Sequence, residues 1–182
     1  VIAVHENPPI RFYPAQISEG TDVAWWLAHT KSRSEKAFAW DLNNRDIEYF
    51  LPMLESSLVS GGRKRRVLKP LFPSYVFFRG DPDARQRALE TDRLCQVIPV
   101  TNQVQLENEL AALNTALAHE KCLDPFPFAA TGRRCRVARG ALRGIDGVVI
   151  ERQGITKIIL QVSVLGRGVP LNIDASMLES AE

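Results

Sequence analysis

The chain has 182 residues, 45% of them hydrophobic and 24% charged, with a net charge of +2, an ordinary globular composition with room for one large or two small domains. No apolar run approaches the roughly 18 residues of a membrane span, and the first residues hold no charged segment followed by an apolar core of signal-peptide type, which predicts a soluble, cytoplasmic protein. So small a net charge excludes a histone-like binder, leaving nucleic-acid contact to local clusters; Cys95, Cys122 and Cys135, odd in number and far apart, argue against a disulfide framework or a zinc knuckle and read as reduced packing residues.

Residues 1–23 show no sustained period and read as a tail. Residues 25–30, Trp-Trp-Leu-Ala-His-Thr, predict a first buried strand. Ser32-Arg33-Ser34-Glu35 has the form of a capping box, and a helix over 35–44 follows, with Phe38 and Leu42 on one face at i, i+4 spacing. A second strand-like stretch, 47–59, is interrupted near Pro52, and Ser60-Gly61-Gly62 supplies the dihedral freedom of a hairpin tip. Arg63, Lys64, Arg65 and Arg66 come directly after that tip. Four adjacent cations repel one another unless they are solvated or face phosphate, and simple solvation is the commoner explanation of such a run.

The return arm leads into residues 69–79, Lys-Pro-Leu-Phe-Pro-Ser-Tyr-Val-Phe-Phe-Arg, which read as one strand crowded with aromatic residues and closed by Gly80 and Asp81-Pro82. Alternation sends Phe72, Val76 and Phe78 to one face and Pro73, Tyr75 and Phe77 to the other. Both faces are apolar, so the second needs a cover, either another helix of the same domain or a partner protein. Residues 81–92 form a short helix or loop and 95–100 a fourth strand. A further helix carries Leu106, Leu110, Leu113 and Leu117 as one stripe.

Residues 24–120 therefore predict an α+β domain, an antiparallel four-stranded sheet with helices packed on it. Residues 121–131, with two prolines, read as a semi-stiff linker. Past it only short strands remain, 135–138, 147–151, 156–165 and 169–173, so that 132–182 predict a small SH3-like β-barrel. In the longest of them Ile158, Leu160, Val162 and Val164 share a face, which leaves Ile159 exposed on the other. His5, His29 and His119 have no Asp or Cys at triad or ligand spacing and no Gly-rich loop opens a helix, which argues against an enzyme and against any cofactor.

Two motifs in series carry a resemblance. Trp-Trp-Leu-x-x-x-Lys with Pro-Leu-Phe-Pro-Ser-Tyr-Val-Phe-Phe behind it resembles the N-terminal domain of the NusG family of transcription elongation factors, and residues 136–149, where glycines recur between basic and apolar positions, resemble a KOW motif. The Pro-Leu-Phe-Pro-x-Tyr run is similar to the specialised, RfaH-like branch. The resemblance implies a monomeric antitermination factor that binds the clamp helices of bacterial RNA polymerase and suppresses pausing and termination. By matching positions it implies a polymerase-binding patch of Phe72, Pro73, Tyr75 and Phe77, with Trp26 beside them. It further implies contact with the non-template DNA strand through Lys31 and Arg93, with Arg33 and Lys36 close in sequence. A permanent KOW barrel would recruit a small-subunit ribosomal protein or Rho through a surface near Ile159 and Arg167. The branch's His-Thr-Thr element aligns with Gln86-Arg87-Ala88, a departure. A second reading is a ribosome- or RNA-associated KOW protein that binds structured RNA through phosphates.

Overall fold

The computed structural model describes residues 7–9, 22–60, 62–119, 126–127, 132–152 and 155–180. They fall into two compact units that divide between Val104 and Gln105.

The first unit holds β1 (Ala24–Thr30), α1 (Glu35–Asn44), β2 (Glu48–Phe50), β3 (Met53–Ser60), β4 (Arg63–Pro70), β5 (Tyr75–Gly80), α2 (Pro82–Leu89) and β6 (Leu94–Pro99). Four strands make an antiparallel sheet in the order β2-β5-β1-β6, while β3 and β4 pair only with each other. In the sheet Ala28 lies opposite Val76, and Trp26 opposite Phe78. Opposed residues point to the same side, and on that side Ala28, Val76, Phe78 and Tyr49 join Phe38, Ala39 and Leu42 of α1 and Ala84 and Ala88 of α2 in one buried core. Phe38 meets Phe78 edge to face, their centroids 6.2 Å apart. The helix read over 35–44 therefore has the extent expected of it and presents the apolar face expected of it. Asp81 caps α2 by accepting from the Ala84 amide at 2.7 Å, with Pro82 in the first turn, where its missing N–H costs nothing.

Two local readings are corrected. The 69–79 stretch is not one strand. β4 ends at Pro70, residues 71–74 turn, and β5 starts at Tyr75; Ser74 sits at φ 67, a left-handed conformation that breaks the period-2 alternation. The capping box does not form either, since Ser34 caps α1 without a side-chain hydrogen bond.

The second unit begins with the body of α3 (Gln103–His119) and continues with β7 (Phe126–Pro127), β8 (Arg133–Val137), β9 (Asp146–Arg152), β10 (Ile155–Val162), β11 (Arg167–Asn172) and β12 (Leu178–Ser180). Within that unit Glu109 accepts from the Ser163 amide at 2.8 Å. Residues 120–125 and 128–131, most of the expected linker, lie outside the described residues. The strands form a six-stranded antiparallel sheet in the order β12-β8-β9-β10-β11-β7. Val137, Ile158, Leu160, Val162, Val169 and Leu171 are buried.

Ile159 is buried as well, at 0% exposure, which overturns its reading as an exposed surface residue. β10 is a central strand, with Ile159 opposite both Val148 and Pro170, and α3 belongs to the same unit. Val148 and Gln161 line a cleft of about 550 Å³ together with Asn108, Ala112 and Thr115 of that helix. A strand covered on both sides reads as a continuous apolar run, as 158–160 do. The expected strand tail at 163–165 is instead a 3-10 turn closed by Gly166 at φ 58. Of the cysteines, Cys95 is exposed and Cys135 half-buried, so Cys95 is not a packing residue; Cys122 lies outside the described residues. No described helix is long and apolar enough to cross a membrane.

Candidate functional site

One end of the four-stranded sheet gathers most of the residues singled out from the sequence. The turn at 71–74 delivers Ser74 to that end, where its carbonyl accepts from the Thr30 amide at 2.9 Å and the Tyr75 amide bonds back to the Phe72 carbonyl at 3.1 Å. Glu35, buried at the start of α1, accepts the Ser74 amide at 2.6 Å. The glutamate thus serves a turn 39 positions away instead of capping its own helix. A carboxylate accepting an amide makes a charge-assisted bond, shorter and stronger than a neutral one, and here it holds a backbone turn that serine does not favour on its own.

Beyond the turn, Tyr75 stacks on His29, ring centroids 5.1 Å apart and planes 22° from parallel, as their register partnership demands. Both rings are half-buried and Pro73 is exposed. Phe72 and Phe77 meet edge to face at 6.4 Å and are sealed, at 1% and 0% exposure. In this structure neither ring offers surface to a partner, which corrects the reading of both as contact residues. Trp26 is corrected too. It lies opposite Phe78, not Phe77, and so points to the helical side of the sheet, where its indole donates to the Gly80 carbonyl at 3.4 Å and the Arg85 guanidinium sits 5.2 Å from its ring. The residues that do share the side of Phe77 and Tyr75 are Leu27 and His29 of β1 and Phe50 of β2. Sequence reasoning missed them, although the alternation Trp25, Leu27, His29 was there to be seen once Trp26 had been assigned to the other face.

The cations beside this corner are engaged to different degrees. The Lys31 amide donates to the Arg93 carbonyl at 2.8 Å, so the two loops are joined. Lys31 pairs with Asp92 at 2.8 Å and Arg93 with Asp41 at 2.6 Å. The Lys31 ammonium, by hydrogen bond and charge, holds the Asp92 carboxyl below the usual range. Arg33 is exposed, in the same loop, at φ 60. Lys36 turns away and donates to the Leu68 carbonyl at 2.6 Å; burial pushes its ammonium pKa down, with nearby Glu35 opposing. Lys31 and Arg93 therefore lie side by side, Arg33 is two residues further along the Lys31 loop, and Lys36 is bonded elsewhere.

Elsewhere, Arg66 is exposed on β4 and pairs with Glu55 at 3.2 Å; the side chains of Arg63, Lys64 and Arg65 lie outside the described residues. Arg87 is exposed and donates to the Arg45 carbonyl at 2.9 Å, and Gln86 is exposed. In the second unit Arg167 is half-buried opposite Val162. Its β8–β9 connection is held by amide bonds from Val137 to Ile145 and from Gly144 to Val137, with Gly140 and Gly144 at φ 85 and 87, conformations that glycine adopts without a Cβ penalty. Among the described residues no cluster of His, Cys, Asp or Glu could hold a metal ion.

Two solved structures are similar to the chain. One, describing domain interaction in Thermotoga maritima NusG, is 16% identical, covers 88% of this chain and 98% of that one, and superposes with a TM-score of 0.48. The other, a crystal structure of the MjSpt4:Spt5 complex, is 15% identical, covers 87% and 97%, and has a TM-score of 0.28. The family model of NusG, described as transcription termination factor nusG, matches residues 23–116. That match takes in the whole four-stranded sheet, the corner at its end and more than half of the chain, and by it the protein belongs to the NusG family of transcription factors.

Proposed function

We propose that this chain is an elongation and antitermination factor of the RfaH-like branch, which docks on the clamp helices of bacterial RNA polymerase through the corner built by Pro73, Tyr75 and His29. The observation that carries this reading is the stacked, half-exposed His29–Tyr75 pair beside exposed Pro73. Stiff rings with a polar edge are the kind of group that anchors protein interfaces. Phe72 and Phe77 act from beneath, as the packed floor on which the pair rests. Docking suppresses pausing when it favours the closed, elongating clamp over the open one, by a coupling of about 1 to 3 kcal/mol.

Lys31, Arg33 and Arg93 lie beside the corner and serve the displaced non-template strand. Phosphate contact needs only cations, and the carboxylates of Asp92 and Asp41 keep Lys31 and Arg93 aimed until a phosphate competes for them. Lys36 supports this surface from the base of the β3–β4 arm and touches no nucleic acid. The second unit is a KOW-type SH3-like barrel that recruits a small-subunit ribosomal protein or Rho, with Arg167 at the recruiting surface. The protein acts as a monomer in the cytoplasm.

The test is capture of core RNA polymerase, free of nucleic acid, by the full chain. Tyr75→Ala with His29→Ala should weaken capture tenfold or more and leave the first unit folded. Capture unchanged by the double substitution refutes the docking surface. Binding that ignores both rings yet collapses steeply with salt would favour a ribosome- or RNA-associated protein instead.

A further inference from the structure

The end of β5 away from Tyr75 carries a charge that the docking corner does not use. Arg79 is only 8% exposed, opposite Trp25 on one neighbouring strand and Glu48 on the other. Its Nη1 reaches the Glu48 carboxylate at 3.4 Å, well beyond the roughly 2.7 to 2.9 Å of a charge-assisted bond, and its Nε is buried with no partner. A buried cation so weakly matched costs stability that an apolar side chain of similar size would not.

Arg79 lines a cleft of about 400 Å³, a size in the range of small-ligand sites. Val23, Ile47 and Ala84 supply its apolar wall, the last two buried. β5 and α2 close on each other there, since a Cβ at Gly80 would collide with that of Ala84, so packing between two regular elements sets this part of the wall. The charges around the cleft are mixed. Arg87, exposed, is tethered to the Arg45 carbonyl at 2.9 Å. Of the three carboxylates, Asp81 is occupied with the Ala84 amide at 2.7 Å, which leaves Asp46 and Glu48, both exposed. A simple anion would meet those two carboxylates, and a simple cation would meet Arg79. A small molecule that carries both charges suits both. We propose that this cleft binds a free α-amino acid with an aliphatic side chain, its carboxylate pairing with Arg79, its ammonium with Asp46 and Glu48, and its side chain lying against Ile47 and Ala84. Arginine meets a carboxylate with a planar, two-pronged fork, so the ligand supplies the acceptor that Glu48 supplies poorly. The site gives this transcription factor an input of its own, about 14 Å along the strand from Tyr75.

The experiment titrates the full chain with L-leucine and follows backbone amide and arginine Nε–H signals by NMR. Saturable shifts of the Arg79 Nε–H and Gly80 amide signals are expected. Isocaproate, which lacks the ammonium, and isoamylamine, which lacks the carboxylate, should each bind about tenfold more weakly or worse, as expected for the loss of a hydrogen bond to a charged group. Arg79→Lys keeps the charge without the fork and should weaken leucine binding about tenfold. Because that position is buried, a variant of the exposed rim, Asp46→Asn/Glu48→Gln, gives a second arm. Asparagine tolerates the φ of 52 at residue 46, and this variant should bind leucine and isocaproate equally. Absence of a saturable shift with leucine overturns the proposal. So does isocaproate or isoamylamine binding the parent as tightly as leucine, or a preference for leucine that survives in the rim variant. Capture of core polymerase by the rim variant should match the parent, so failure of this site and failure of polymerase docking are read separately.

Discussion

Removing the Glu35 carboxylate should loosen the turn that carries Pro73 and Tyr75. Glu35 is 7% exposed and receives the Ser74 amide at 2.6 Å. A hydrogen bond to a charged group contributes about 1.5 to 3 kcal/mol. Glu35→Ala leaves that amide unpaired in a half-buried place, with the residue still held at φ 67, so a loss of about 2 kcal/mol is expected. Glu35→Gln keeps an acceptor but not its charge. Neutral bonds are roughly half as strong, so about 1 kcal/mol should be lost. The assay is urea denaturation followed by tryptophan emission, which reads the first unit alone because Trp25, Trp26 and Trp40 all belong to it. With a slope of about 1.5 to 2 kcal/mol per molar urea, the midpoint should fall by about 1 M for alanine and half as much for glutamine. A midpoint that does not move in Glu35→Ala refutes the reasoning. Equal losses in the two variants would mean that the charge, and not the bond, carries the effect.

Gly147→Ala should destabilise the second unit by about 1 to 3 kcal/mol, since a Cβ there would meet the Ile158 side chain at 2.6 Å and the Ile159 carbonyl oxygen at 2.7 Å; thermal melting by circular dichroism, with tryptophan emission unchanged, checks it. Arg136 grips Asp146 with two bonds, at 2.6 and 2.9 Å, and holds its carboxyl below the usual carboxylate range. The stability so gained is full above the unfolded aspartate pKa of about 4 and is lost as pH falls through the lower folded value. Acid melts should therefore show a small loss in that window that Asp146→Asn abolishes, small because both partners are solvent-exposed.

The elements that could be read from the chain were those set by neighbours in sequence. Phe38 and Leu42 four apart fix α1, and Gly62 at φ 74 fixes the hairpin reversal. What escaped was set by distant partners. Whether Trp25 or Trp26 joins Tyr75 depends on the pairing of β1 with β5, and a one-residue slip reverses every side. Ser74 gives no sign of a left-handed turn, because its conformation is imposed by Glu35 and Thr30 from two other elements. Ile159 was misread because alternation reports one covered face and cannot count a second. The β3–β4 arm was legible as a hairpin and as a charge run; its isolation from the four-stranded sheet was not.

Three residues other than glycine, Arg33, Ser74 and Asp92, take left-handed backbone angles in the loops that converge beside Tyr75. Those loops are laced to the rest of the corner by the Thr30–Ser74 and Lys31–Arg93 amide bonds. Such conformations persist only where the surroundings over-determine them. Lengthening or shortening any one loop would unlace its partners, so the corner has little room to evolve by insertion or deletion. New recognition there has to arise by exchanging side chains on a backbone that stays put, which makes the identities at Lys31, Arg33, Pro73 and Arg93 the natural alphabet in which members of this architecture would diverge.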